Sequence, residues 1–347
     1  MIHLMNYYQK NQVLKNKESN MKEKIDFVIL WVDPTDENWL KEKNKYLNVT
    51  GDKSNKRFRD FDNLKYLFRG IERFAPFVNK VFFVTFGHLP KWLNVNSDKL
   101  VIVNHKDYMK EEYLPTFNSN VIELNLGNIE ELSEHFVLLN DDIFILNNLK
   151  EEDFFINGKP NDMYVEYKKK NPSNRSVVMH KNYFDILDKY FDKEEFVKSN
   201  KDKIINKKYG IKNIYNLKSM KNKSFLDLYS AHLNQNLLKS TFNTLWLKEY
   251  SLLDKASKNK FRSNSDIGQM LMRYYNLLSG NFNPKKPLGK YFEISNNNKN
   301  IINAIKSQKY KMICINDAKD DIDFEKSKNE INSALESVLN KKSSFEI

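Results

Sequence analysis

Short, unbroken apolar runs separated by amphipathic or polar stretches mark the first half of the chain. Residues 25–32 (IDFVILWV) are continuously apolar, β-branched or aromatic apart from Asp26 and stop at Asp33-Pro34. They predict a buried strand with carboxylates beyond its C-terminal end. From Asp60 to Phe74, Leu64, Leu67, Phe68, Ile71 and Phe74 recur at three- and four-residue spacing ahead of Pro76, which predicts an amphipathic helix. VFFVTF (81–86), LVIVN (100–104) and FVLLN (136–140) repeat the strand signature with helical or loop segments between. This alternation predicts an α/β fold built on a mostly parallel, Rossmann-like sheet.

The second half is patterned differently. Residues 160–225 are basic, Asn-rich and weakly periodic, punctuated by Pro160, Pro172 and Gly210, and predict loops with short elements. Helical periodicity returns over 225–280, with Leu237, Leu238, Phe242, Leu245 and Trp246 on one face and Ile267, Met270, Leu271, Tyr274 and Leu277 on another. MICIN (312–316) reads as one more strand leading into Asp317, and Ile331, Leu335 and Val338 as a final amphipathic helix. The expected organisation is a basic N-terminal extension (1–24), an α/β core (25–160), a largely helical insertion lobe (161–290), a strand returning to the core (291–317) and a C-terminal helical tail (318–347).

Composition narrows the class. No run of about 18 apolar residues occurs, and the first twenty residues lack the apolar stretch of a secretory signal, so a soluble, cytoplasmic protein is expected. The single cysteine, Cys314, sits in the apolar run MICI and reads as a small core residue. An excess of 57 Lys+Arg over 45 Asp+Glu gives a net charge of +12. Such a charge favours nucleotide sugars, phosphoglycans, nucleic acid or an acidic membrane face without choosing among them. Lys and Arg are spread through most of the chain and no nucleic-acid motif accompanies them, which argues against nucleic acid. The same charge suits peripheral association with the inner face of the cytoplasmic membrane.

Acidic residues cluster after the strands: Asp33 and Asp36 in WVDPTD, Asp141 and Asp142 in LNDDIF, and Asp317 in INDAKD. Ligands of open α/β sheets bind beyond the C-terminal ends of the strands. A hard divalent cation there takes one or two carboxylates and leaves its other positions to water and phosphate. An aspartate after a strand can equally cap a turn or helix. Arg262, in NKFRSNSD, offers planar donors for a phosphate, with Asp266 one turn later to orient it or to bind metal; an ordinary ion pair is the other reading. His232, in LYSAHLNQNLL, is a candidate base or, alternatively, a packing or capping residue. Neither GxxxxGK[ST] nor GxGxxG occurs, so a diphosphate would be held by metal, arginine and strand-end amides.

These residues fall into an order that resembles the Stealth proteins, the capsular polysaccharide phosphotransferases related to the catalytic subunit of lysosomal-enzyme N-acetylglucosamine-1-phosphotransferase. The first block is similar to IDFVILWVDPTDENW, with Pro34 where the family has glycine. The second matches RFRDFDNLKYLFRGIERFAPFVNKVFFVTFGHLPKWLN, VNHKD, LPTFNSNVIE and LNDDIF. The third resembles His232, Phe242, Trp246 and FRSNSD, without the prolines that often follow the histidine, and the fourth resembles CIND at 314–317. The likeness spans roughly residues 25–317.

What the resemblance implies is a nucleotide-sugar-transferase-like core and transfer of hexose- or N-acetylhexosamine-1-phosphate from a UDP- or GDP-sugar donor to a hydroxyl of a glycan acceptor. A capsular or exopolysaccharide phosphodiester forms and UMP or GMP leaves. Mg²⁺ or Mn²⁺ is the implied cofactor. By motif position His232 is the implied base, with Arg262 and Asp142 also catalytic. Asp141, Asp142 and Asp317 are the implied metal ligands, and Asp33, Asp36, Arg57, Arg59, His105, Asn118, Ser119 and Asp266 the substrate contacts. Glu123 would line or brace the donor pocket. The competing enzymatic reading is a metal-dependent glycosyltransferase, which releases the nucleoside diphosphate instead.

Overall fold

In the computed structural model, residues 23–49, 59–168, 175–317 and 321–347 are described. Nearly all of the expected N-terminal extension, and Arg57, lie outside them. Among the described residues no helix is long and apolar enough to cross a membrane.

The first apolar run becomes β1 (Ile25–Leu30), followed by α1 (Glu37–Lys45) and α2 (Leu64–Phe74). Then come β2 (Val81–Thr85), β3 (Leu100–Asn104), α3 (Ser119–Leu124), β4 (His135–Asn140) and β5 (Ile143–Ile145). Short strands β6 (Phe155–Ile156), β7 (Lys159–Asp162) and β8 (Glu166–Tyr167) lead into α4 (Arg175–Leu187), α5 (Lys193–Ser199), α6 (Lys201–Ile204) and α7 (Asn213–Ser219). β9 (Asp227–Leu228), β10 (Gln235–Leu238), α8 (Lys239–Lys248), α9 (Tyr250–Ser257) and α10 (Met270–Leu278) complete the insertion. The chain closes with β11 (Asn283–Pro284), β12 (Gly289–Glu293), α11 (Lys299–Ser307), β13 (Met312–Asn316) and α12 (Phe324–Val338).

The main sheet runs β10-β4-β1-β2-β3, parallel except for β10. Both faces are covered, which is why β1 is an apolar run rather than an alternating one. Phe27 and Ile29 join one core with Leu67, Phe83 and Leu139, whereas Val28 joins the other with Phe82, Phe136 and Leu138. The first core is shared with β5, β13, α11 and α12, the second with the insertion lobe. Asp26 is the buried polar exception. Its carboxylate accepts from Asn79 Nδ2 (2.7 Å), Lys80 N (3.1 Å) and Ser133 N (2.8 Å), so it ties together the loops ahead of β2 and β4.

Two expectations need correction. Leu237 and Leu238 lie on an edge strand, paired with Phe136 and His135, and the helix begins only at Lys239; so short an apolar run suits either state, and the open edge of β4 selects the strand. Residues 160–225 hold helices α4 to α7 rather than mostly loops, because Met179, Tyr183, Ile186 and Leu187 bury one face of α4 in the lobe core. The strand β13 packs into the core shared with β1, but from outside the main sheet. It forms a second sheet, β12-β13-β5, parallel to β12 and antiparallel to β5, since β10 already occupies the free edge of β4. The two residues between β4 and β5 therefore sit where the sheets meet, and they are Asp141 and Asp142.

Candidate functional site

Beyond the C-terminal ends of β1, β4 and β13 lies a cavity of about 680 Å³. Its acidic side is the Asp141-Asp142 turn. Asp142 is held by the second sheet: its Oδ2 accepts from Asn316 Nδ2 (3.2 Å) and from the thiol of Cys314 (3.3 Å), and the Ile315 amide donates to its carbonyl (2.9 Å). Its other carboxylate oxygen, Oδ1, is buried with no hydrogen-bond partner. Asp141 opens to the solvent of the cavity but lies deep in the cleft. Burial, then the charges of Asp142 and Asp60, push it up to about 7. Burial and Asp142 push the Cys314 thiol well up, so it is a neutral core donor.

His232 enters this side from the turn before β10. Its φ of 52° lies in the left-handed region that non-glycine residues seldom adopt. The exposed imidazole packs edge-on against Tyr291, with ring centroids 5.3 Å apart. Ligand-capable atoms of Asp142, His232 and Cys314 all lie within 4.8 Å of one another, close enough to share one metal ion. One oxygen, one nitrogen and one sulfur suit a zinc-like ion. The carboxylates of Asp141 and Asp142 are the hard oxygens that Mg²⁺ or Mn²⁺ takes, and the unpartnered Asp142 Oδ1 fits such a ligand.

The facing wall carries positive charge. Arg262 Nη2 donates to Ser119 Oγ at 2.6 Å. Glu123, one helical turn after Ser119, lies beside them; burial pushes its carboxyl up to about 7, against the opposing pull of Arg262 and Ser119. His105 also lines the cavity. Burial first, then His88, lowers it to about 4, so it is neutral at pH 7, and its Nδ1 has no hydrogen-bond partner. Arg59 approaches from the segment before α2 and pairs with Asp317 at the end of β13.

Not every expected substrate contact reaches the cavity. Asp266 is fully buried behind the wall, where it accepts from the side-chain amides of Asn118, Asn120 and Asn259 (each 2.9 Å) and from Ser263 N (3.0 Å). Asn118 is buried with it and caps α3 through Asn120 N. Together they hold the 259–266 loop against α3, which sets Arg262 beside Ser119. Asp36 is the N-cap of α1, accepting from Trp39 N at 2.7 Å. Asp33 accepts from the Thr35 amide (2.8 Å) and hydroxyl (2.6 Å) in the same turn. Neither lines the cavity. Asp60, Tyr291 and Asn316 line it and were not singled out from the sequence. Asp60 and Asn316 lay inside the motifs RFRDFD and CIND, whereas Tyr291 carried no signal.

A mostly parallel α/β sheet whose strand ends open on a cavity with paired carboxylates on one side and a guanidinium on the other has the makings of a binding site for an anionic ligand. Residues 23–48 match the model of Stealth protein CR1, conserved region 1, and residues 57–163 that of Stealth protein CR2, conserved region 2. The chain is 41% identical over 329 residues to the capsular polysaccharide phosphotransferase WcwK of Streptococcus pneumoniae, covering 93% of this chain and 98% of that one. It is 36% identical to the receptor polysaccharide phosphotransferase WefC of Streptococcus oralis (93% and 99% covered) and 35% identical to the exopolysaccharide phosphotransferase cps2G of Lactiplantibacillus plantarum (93% and 96%). The chain belongs to the Stealth family. Among solved structures, galactosyltransferase LgtC in complex with donor and acceptor sugar analogues aligns over 89% of this chain and 95% of that chain, at 9% identity and a TM-score of 0.37.

Proposed function

We propose that this protein transfers a hexose- or N-acetylhexosamine-1-phosphate from a UDP- or GDP-sugar to a glycan hydroxyl of a capsular or exopolysaccharide, in the cytoplasm where such donors are made. The observation that carries the reading is the gathering of Asp141, Asp142, His232 and Arg262 around one cavity from three separated stretches of chain.

In the proposed reaction the acceptor hydroxyl gives its proton to the His232 imidazole as its oxygen attacks the sugar-bearing phosphorus. A new P–O bond forms, the P–O bond to the nucleoside phosphate breaks, and the electron pair leaves with UMP or GMP. The bond between the sugar's anomeric carbon and its oxygen stays intact. Arg262, held by Ser119, stabilises charge on the phosphoryl oxygens. Asp141 and Asp142 would hold Mg²⁺ or Mn²⁺, which when bound neutralises diphosphate charge. His105, neutral and partly unpartnered, offers a donor or acceptor to the nucleotide-sugar.

The test is the identity of the released nucleotide. With a UDP-sugar and an active glycan acceptor, UMP is expected to accumulate one-for-one with a phosphodiester seen by phosphorus NMR. Stoichiometric UDP instead, with no new phosphodiester, makes the protein a glycosyltransferase.

A further inference from the structure

Helix α7 is inside out. An amphipathic surface helix ordinarily buries its apolar stripe and presents polar residues to water. Here the residues facing inward are Asn216 and Ser219. Asn216 pins the helix by accepting from Glu166 N (2.9 Å) and donating to the carbonyls of Tyr164 (2.8 Å) and Ile204 (2.6 Å). The apolar residues point outward. Ile214 is 49% exposed, Tyr215 53% and Leu217 54%, and Ile211, just after Gly210 at φ 56°, is 81% exposed. A contiguous exposed apolar patch of this kind marks an interaction surface.

The stretch of chain that carries it is basic. Residues 203–226 contain no Asp or Glu, and Lys207, Lys208, Lys212, Lys218, Lys221 and Lys223 flank the four apolar side chains. All of these lysines but Lys212 are exposed; Lys212 lies 4.1 Å over the Tyr229 ring. Of the nearby acids, Asp227 is engaged by His180 (2.8 Å), Glu166 by Lys193 and Asp162 by Arg273 (2.7 Å), and the exposed Asp202 borders the stretch beside Lys203. Exposed Ile, Leu and Tyr among lysines that outnumber the single exposed acid bordering the stretch complement an anionic bilayer surface, where apolar groups enter the acyl boundary and lysines meet lipid phosphates.

We infer that the 207–223 ridge docks the protein on an anionic lipid bilayer. The ridge is also joined to the cavity by a short path: α7 packs on β8, β8 pairs with β9, and four residues beyond β9 the chain reaches His232. The inference is independent of the reaction proposed above, because vesicle binding is read without turnover.

The experiment is co-sedimentation of the full chain with phosphatidylglycerol-containing vesicles and with pure phosphatidylcholine vesicles, at low and high salt. The wild type is expected to sediment with the anionic vesicles only, and less so at high salt. Ile211→Ser/Ile214→Ser and Lys218→Glu/Lys221→Glu should each weaken binding about tenfold or more while leaving the thermal melt unchanged. Unaltered binding of the I211S/I214S variant would reduce the effect to diffuse charge and overturn the proposal. So would failure of the wild type to bind, or a wild-type dimer on gel filtration that I211S/I214S dissociates, which would make the ridge a contact between copies of this chain.

Discussion

Arg59 and Asp317 form a two-point pair across 258 residues of sequence: Nη2 donates to Oδ1 at 2.8 Å, and Nε lies 2.7 Å from Oδ2. The pair fastens the segment before α2 to the end of β13, and it gives a guanidinium partner to Asp317, which lines the cavity. Arg59→Ala and Asp317→Ala should each destabilise the fold and lower kcat/KM. A double-mutant cycle by urea melts should give a coupling of roughly 1–3 kcal/mol, the range for contacting charged partners. Additive losses would show that the two residues act separately.

His232→Ala and Asp142→Ala should each reduce kcat by about 10²–10⁴, the usual cost of losing a positioned proton acceptor or charge-stabilising group. Circular dichroism should be unchanged, because His232 is exposed and Asp142 is only partly buried. A near-normal rate in either variant removes that residue from the mechanism.

Chelation should abolish turnover, and Mg²⁺ or Mn²⁺ should restore it. Asp141→Asn should raise the metal concentration giving half-maximal rate, since a charged carboxylate oxygen becomes a neutral amide oxygen. An unchanged metal dependence would move the cation away from the Asp141-Asp142 turn.

Glu123 sets a pH dependence of stability. Its folded value of about 7 lies above its ordinary 4.5, so the folded state binds more protons between these values. The associated stability is complete below about 4.5 and is lost as pH rises through about 7. Glu123→Gln, which cannot ionise, should therefore gain on the wild type between pH 4 and pH 8, by roughly 1–3 kcal/mol in paired denaturant melts. A constant difference across that range would mean that Glu123 titrates normally.

Asp266→Ala should leave three amide groups and a backbone N–H without their acceptor. A loss of roughly 2–4 kcal/mol is expected, visible as a lowered melting temperature. Turnover should fall too, because the loop carrying Arg262 loses its anchor. A variant with wild-type melting and rate would show that the loop holds itself.

Elements whose evidence is local were legible from the chain alone. The runs that became β1 to β4 and MICIN declare their state as short unbroken apolar stretches buried on both faces, and α2 through the 3.6-residue spacing of Leu64, Leu67, Phe68, Ile71 and Phe74. The Asp141-Asp142 turn was legible for the same reason, as a polar break directly after an apolar strand. The helical spacing of Met179, Tyr183, Ile186 and Leu187 was present too, but diluted among lysines and asparagines.

Other features depended on partners far away in sequence. Leu237 and Leu238 are compatible with strand or helix until β4 offers an unpaired edge. Asp33, Asp36 and Asp266 look like equivalent cavity acids until the fold turns the first two into local caps and buries the third among three asparagines. Tyr291 reaches His232 only because β12 and β13 form their own sheet. Residue type and spacing specify which segments fold and what chemistry they carry. Which carboxylates face an open cavity is settled by long-range packing and by which buried donors must be satisfied, and neither is encoded within any one segment.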